Sequence, residues 1–430
     1  MSKLLREYIH TVLMEGSGQA LSDEKIEGAL DIISGLVSGS TMFRNKAFIA
    51  GGAVRDEIMG KTSHDIDIVV ALPDGGIKLA EWLYSRLRLE HRPVTFPKFG
   101  TAMLSLDGVT HNGIDLSGIE IEMVQTRAEK YDPNSRKPVT SYGTLEQDVA
   151  RRDLTINSLL KNLTTGEILD LTGKGLQDIK DGVIRTPMDP NETFDDDPLR
   201  ILRAVRFTSR YDYAMTEDIQ EAIAKNAERL KIISKERVKD ELGKILTGDN
   251  SRVGIELLVD LGLLQYVVPQ LVGKEQEVKT LKFTDNLISS MAILLSLTNN
   301  QAMSSAKMLR FSNDDSKQIV ALANFRNQMI NDDSNKNVLK SSQPVFSSGA
   351  GDLLEDVLYD QPVRKKLSSL GEYLGSGPNI FFTGGDLLKS FDLKPGPEIG
   401  KLVSLQQDLW YNNPAITKQE VRKEIENYLT

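Results

Sequence analysis

Apolar residues at the start of the chain recur at helical spacing: Leu4, Leu5, Tyr8, Ile9, Val12 and Leu13. Asp23 to Val37 repeats the pattern as a second amphipathic segment. Between residues 46 and 125 the period shortens. Phe48-Ile49-Ala50 runs apolar into Gly51-Gly52, and Ala53 to Met59 has helical character. His64-Asp65-Ile66-Asp67-Ile68-Val69-Val70 then alternates as a strand, and Ala102 to Leu106 and Ile119 to Val124 read as later strands. Residues 128–147 are polar, with two prolines and a glycine, and predict a long mobile loop. From Asp197 onward helical periodicity dominates. Gly-Ser breaks fall near 347–351 and 375–378, and Lys394-Pro395-Gly396-Pro397 punctuates the last region. The pattern predicts an α+β chain, a strand-containing head followed by helices, with no internal repeat.

The chemistry concentrates where the period shortens. Bare backbone N–H groups at Gly51 and Gly52 can approach a ligand closely, at the entry to a helix that favours phosphate. On the next strand, the period of two puts Asp65 and Asp67 on one face and Ile66 and Ile68 on the other. Such a pair can merely solvate a strand face, but two carboxylates heading an apolar strand are costly without a cation. Hard oxygen ligands beside a phosphate cradle point to Mg²⁺. Glu122, alternating with Glu120 on a later strand, is either a third carboxylate of this group or part of an exposed face.

Arg151-Arg152-Asp153-Leu154-Thr155-Ile156-Asn157 packs cations, a carboxylate and an amide together. Guanidinium forks match phosphate oxygens, and Asp and Asn can read ribose hydroxyls, although Asp153 would also serve as a helix cap. Asp195-Asp196-Asp197-Pro198-Leu199-Arg200 predicts a helix opening, followed by Arg203, Arg206 and Arg210 near one helical face. That stripe suits an anionic partner, or is a solvated face. Asp197 and Arg200, one turn apart, offer an acceptor and a forked donor. Cytosine and adenine present an amino donor beside ring acceptors, whereas uracil and guanine place a carbonyl where the carboxylate also accepts. Ser234-Lys235-Glu236-Arg237-Val238-Lys239-Asp240-Glu241-Leu242 starts another helix, from which Glu236 or Glu241 would brace the preceding arginines.

Composition narrows the classes. A chain of 430 residues with 40% hydrophobic residues is expected to hold about three domains with real cores. No apolar run approaches membrane-spanning length, and Met1-Ser2-Lys3 opens no signal-peptide pattern. Zero cysteines exclude disulfides and thiolate metal sites and fit a reducing compartment, the cytoplasm. The four histidines end at residue 111. Net charge is −9, so any RNA contact must use a local basic stripe rather than overall charge.

In this order, the runs GGAVRDEIMG, HDIDIVV, RRDLTINSL, DDPLRILRAVRF and SKERVKDEL resemble the class II tRNA nucleotidyltransferases, the CCA-adding enzymes of the polymerase β superfamily. ELLVDLGLL and TGGDLLKSFDLKPGPEIG are similar to the family's later segments. The resemblance is strong over residues 45–270 and visible again at 380–402. It implies a head with a mixed five-stranded sheet over 41–188, behind an N-terminal extension of 1–40. A helical neck follows over 189–270, then a helical body and tail over 271–430 that bind the tRNA acceptor arm. By that resemblance Asp65 and Asp67 hold two Mg²⁺ ions with Glu122 assisting, and Gly51, Gly52 and Arg55 meet the triphosphate. Arg152, Asp153 and Asn157 contact ribose and phosphates, Asp197 and Arg200 template the base, and Arg203 and Arg206 add to the nucleotide site. The implied reaction takes CTP and ATP and adds CMP and AMP to the tRNA 3′ end, with no membrane or DNA partner. Poly(A) polymerase or an A-only adder is the alternative. The loop at 128–147 looks like the family's element for switching from C to A addition. Asp196 stands where many relatives carry Glu, which keeps the charge.

Overall fold

The computed structural model describes residues 22–61, 63, 66–130, 139–331, 334–358, 364, 367 and 370–430. The expectations for residues 1–21, for Asp65 and for the tip of the 128–147 segment lie outside these. The described chain divides into two units, the first ending at Arg237 and the second running Val238–Thr430.

In the first unit α1 (Asp23–Ser38) buries Ile26, Ala29, Ile33 and Val37, the face given by the helical period. Then come β1 (Ala47–Ala50), α2 (Gly52–Ile58), β2 (Ile66–Val70), α3 (Gly75–Leu87), β3 (Val94–Phe96) and β4 (Thr101–Ser105). A short hairpin, β5 (Thr110–His111) and β6 (Ile114–Asp115), leads to β7 (Glu120–Gln125). The strands β10 (Leu160–Asn162) and β11 (Ile168–Leu169) complete a sheet ordered β11-β10-β1-β2-β7-β4-β3. Only the β2–β7 pair is parallel, so the sheet is mixed as expected. It has seven strands rather than five, because its edges are closed by β3 and β11. Runs of three and two residues are too short to show a period.

All four residues of β1 are buried, as a strand covered on both faces requires. Phe48, Ala50 and Val69 pack with Val149 and Leu160 on one side. Across the sheet, α3 starts so close that a Cβ on Gly76 would lie 2.3 Å from the Met123 carbonyl oxygen and 2.6 Å from that of Gly100. Only glycine fits there.

The 128–147 segment corrects the loop expectation. Its described flanks are strands, β8 (Arg127–Lys130) and β9 (Val139–Tyr142), paired antiparallel from Arg127 opposite Tyr142 to Lys130 opposite Val139. Helix α4 (Leu145–Ala150) follows behind a Thr144–Gln147 capping box. The polar composition concealed these strands because a ladder off the main sheet needs no apolar alternation.

After α5 (Gly175–Asp181), β12 (Val183–Ile184) pairs in parallel with β13 (Ala214–Met215). Helices α6 (Pro190–Asp196), α7 (Leu199–Tyr211), α8 (Glu217–Asn226) and α9 (Lys235–Leu246) fill residues 190–246. Among its described residues the second unit has helices and no strands, as the periodicity predicts. Its buried helix Leu287–Ser296 packs on Asn313–Asn331. Near its end Phe382, Leu387, Leu402, Val421 and Ile425 form a separate cluster. There the buried Gln406 accepts from the Phe382 N–H at 2.9 Å and donates to its carbonyl at 3.0 Å. Among the described residues no helix is long and apolar enough to cross a membrane.

Replacing Gly76 by Ala should cost about 3 kcal/mol, the upper end of ordinary overpacking. Urea unfolding checks this: the midpoint should fall with the slope unchanged.

Candidate active site

β1 delivers the chain into Gly51, at φ 69°, the left-handed region that glycine enters without strain. Its N–H donates to the Leu159 carbonyl at 3.1 Å. A Cβ at Gly51 would lie 3.2 Å from Nη1 of Arg152, so this turn is packed against a guanidinium. Helix α2 then carries Arg55 inward, leaving it 4% exposed. Arg55 Nε donates to Asp56 Oδ1 at 2.8 Å and Nη1 donates to Asn157 Oδ1. The same guanidinium lies 5.2 Å and 5.0 Å from the ring centroids of Phe207 and Tyr211. The Tyr211 hydroxyl donates to Asp56 Oδ1, and burial raises its phenol above the usual range. Arg55 thus sits beneath the glycine turn and ties it to Asn157 and α7.

On β2 the alternation holds: Asp67 is exposed between buried Ile66 and Ile68. The parallel register places Asp67 opposite Glu122 on β7, with Ile66 opposite Ile121 and Ile68 opposite Met123. Two carboxylates from strands about 4.8 Å apart therefore share one face, opposite the one on which Ile66, Ile68, Ile121 and Met123 are buried. This pairing sets Glu122 beside Asp67 on the same face. Among the described residues no group of three acidic or histidine side chains gathers, and Asp65 lies outside them. The donor set on this face is hard oxygen, which fits Mg²⁺ rather than a thiophilic metal.

Residues 148–157 form the floor. Asp148, buried at the end of α4, accepts from Arg151 Nη2 at 2.6 Å, Arg152 Nη2 at 3.0 Å and the Arg127 main-chain N–H at 3.1 Å. Burial works to raise its pKa, but the charges of Arg152 and Arg151 outweigh it and hold the carboxyl below the usual range. Asp153 accepts from Arg203 Nε at 2.7 Å and from Asn157 Nδ2 at 3.2 Å. Burial pushes its pKa up. The nearby Arg203 charge and hydrogen bond, with Asn157 and Arg200, pull it down to about 2.

The Asp195-Asp196-Asp197 run does not open one helix. Asp195 and Asp196 close α6, Asp197 is an extended junction at φ −141°, ψ 96°, and Arg200 lies in the first turn of α7. The arginine stripe turns inward instead of toward solvent: Arg200 and Arg206 are buried. Arg200 Nη1 donates to the Thr193 carbonyl at 3.2 Å and Nη2 to the Arg151 carbonyl at 2.6 Å. Arg206 lies 4.1 Å from the Phe207 ring centroid, and Arg203 faces Asp153. Every described candidate residue thus falls in the first unit. Sequence reasoning missed Asp148, whose spacing of three and four before Arg151 and Arg152 was a usable signal. It also missed Arg237, which pairs with Asp197 at 2.6 Å across a separation of 40 residues, where no local signal exists.

Residues 47–185 match the poly A polymerase head domain, and residues 212–273 match a domain described as a probable RNA and SrmB-binding site of polymerase A. The chain is 37% identical over 227 residues to the mitochondrial CCA tRNA nucleotidyltransferase of Saccharomyces cerevisiae, covering 49% of this chain and 40% of that protein. It is 28% identical to the CCA-adding enzyme of Ligilactobacillus salivarius over 86% of this chain and 89% of that one. The chain is thus similar to tRNA nucleotidyltransferases named for CCA addition, and residues 47–185 match the head domain found in poly A polymerases. It spans about half the length of four fungal relatives it matches, from 40% to 53%. Its fold is that of the Bacillus stearothermophilus CCA-adding enzyme solved with CTP, at TM-score 0.65 and 21% identity over 94% of this chain and 98% of that one. A Thermotoga maritima CCA-adding enzyme with tRNA aligns at TM-score 0.63 and 20% identity, over 98% of each chain. Nucleotidyltransferases of this type are generally metal-dependent.

The depressed pKa of Asp153 has a definite sign. Its ionised form stabilises the fold fully above the ordinary value of 3.8, and that contribution is lost as pH falls toward about 2. Between those values the protein should lose about 2 kcal/mol more stability than Asp153→Asn, as read from urea midpoints over that pH range.

Proposed function

We propose that this protein adds CMP and AMP from CTP and ATP to the 3′ end of tRNA, synthesising or repairing CCA and releasing pyrophosphate. The observation that carries the reading is the pairing of Asp67 with Glu122 on the face beside the Gly51 turn. Relatives named for CCA addition support it. In this reading Asp67 and Asp65 hold Mg²⁺, with Glu122 assisting. The chemistry Mg²⁺ supplies when bound is activation of the 3′-hydroxyl and offset of the charge on the departing pyrophosphate.

The protein's own groups do the rest. Gly51 and Gly52 leave the turn free of side chains so that phosphates approach the backbone. Arg152 adds positive charge beside that turn, and Arg55 holds it in place from beneath through Asn157 and Asp56. Asp153 and Asn157, fixed against each other and against Arg203, receive the ribose, while Arg206 stiffens α7 behind them. Asp197 accepts the amino group of cytosine or adenine and Arg200 donates to the ring acceptors. Arg200 keeps N–H groups for this, because a guanidinium has five and two go to the Thr193 and Arg151 carbonyls. Fidelity then rests on protein hydrogen bonds instead of a nucleic-acid template. Lacking cysteine, the chain suits the reducing cytoplasm.

The test is labelled-nucleotide incorporation with tRNA transcripts ending before CCA, after C and after CC, given CTP, ATP or both with Mg²⁺. Ordered addition of two C and one A, then a stop, is expected. A long A tail would assign poly(A) synthesis, and A alone on the CC-ended transcript would assign an A-adder. Asp67→Ala should lower transfer by about three orders of magnitude, matching several kcal/mol of lost charge stabilisation. Filter binding should show tRNA affinity retained.

A further inference from the structure

The carboxylate assigned to base reading is already engaged. Arg237 Nη2 lies 2.6 Å from Asp197 Oδ2, and Nη1 lies 3.3 Å from Oδ1. Oδ1 also accepts from the Leu199 N–H at 3.2 Å. An ionised carboxylate has about four acceptor positions, two on each oxygen. Three are therefore taken: both on Oδ1 and one on Oδ2. One acceptor position remains, on Oδ2.

We propose that Arg237 is a specificity-determining positioning residue: its two-point grip fixes the plane of the Asp197 carboxylate and leaves a single acceptor for one amino N–H of the incoming base. The inference rests on the base-reading role of Asp197 proposed above. A forked guanidinium constrains a carboxylate at two oxygens, which the point charge of lysine cannot do. An Asp side chain otherwise rotates about its terminal bond, and its broad torsional well would let it turn an oxygen aside from a uracil or guanine carbonyl. Held by Arg237, it cannot turn aside, so a base that presents a carbonyl meets acceptor against acceptor.

Stability does not explain the pair. Its side chains keep 39% and 23% of their surface exposed, and ion pairs of that exposure add little to folding. Asp195, two residues earlier, is held differently: Arg229 Nη1 lies 2.9 Å from its Oδ1, and Nη2 donates to its main-chain carbonyl at 2.8 Å. Both ends of the acidic run are thus pinned by arginines from later in the chain.

The experiment measures kcat/KM for CTP and for UTP on the transcript ending before CCA, using full-length protein, Arg237→Gln, Arg237→Lys and Asp197→Asn, with thermal unfolding of each. The CTP-to-UTP ratio should fall by about tenfold or more in Arg237→Gln, with Tm nearly unchanged. A purely structural role would lower both rates and leave the ratio intact. A fallen ratio in both Asp197→Asn and Arg237→Gln supports the proposal. If Asp197→Asn loses discrimination and Arg237→Gln keeps it, the role of Arg237 is overturned while base reading by Asp197 stands. If both keep it, base reading by Asp197 falls and the proposal with it. Should Arg237→Gln fail to fold, Arg237→Lys carries the same test, because it retains the charge without the fork. A lowered ratio there supports the two-oxygen grip, and a wild-type ratio overturns it.

Discussion

Asp148 and Asp153 are both taken out of water, and a carboxylate in that position is tolerated only when cations and N–H donors surround it. That requirement organises the first unit. Asp148 gathers Arg151, Arg152 and the main-chain N–H of Arg127, so one acid joins α4 to the foot of the β8–β9 pair. Arg152 in turn stands against Gly51, where a Cβ would lie 3.2 Å from its Nη1. Asp153 draws Arg203 inward from α7 and holds the Asn157 amide that also meets Arg55. Removing any one partner would leave another charge buried and uncompensated, which costs far more than the pair gains in isolation.

This explains why a helix as cationic as α7 is not a surface helix. Arg200 and Arg206 are buried, yet each has a partner that suits a delocalised, weakly hydrated guanidinium: main-chain carbonyls for Arg200 and the Phe207 ring for Arg206. Lysine, a compact and strongly hydrated charge, would not substitute. Asp197 stands apart from that stripe, at the extended junction between α6 and α7.

The acidic pair and the buried Ile66, Ile68, Ile121 and Met123 lie on opposite faces of the same strands, as the pleat requires. A slip of β2 by one residue against β7 would turn Asp67 to the opposite face and separate it from Glu122. The fold therefore fixes the spacing of the candidate metal ligands as a consequence of packing, and α3, pressed against β7 through Gly76, holds that register from behind.

The amino-acid sequence alone determined whatever is written within a few residues of itself. The period of two set the exposed face of Asp67, helical spacing set the buried face of α1, and the Gly51-Gly52 pair marked a turn that only glycine can make. Short edge strands such as β11 and the polar β8–β9 ladder escaped notice, because two residues have no period and polar strands have no contrast. Tertiary structure alone decided the partners. That Glu122 lies opposite Asp67, that Arg55 turns beneath the glycines to Asn157, and that Arg237 closes on Asp197 across 40 residues depends on how distant segments meet. Backbone geometry propagates along the chain residue by residue and leaves a local pattern. Charge pairing is settled only when chain closure brings particular groups within a few ångströms of each other, and no local pattern records which ones.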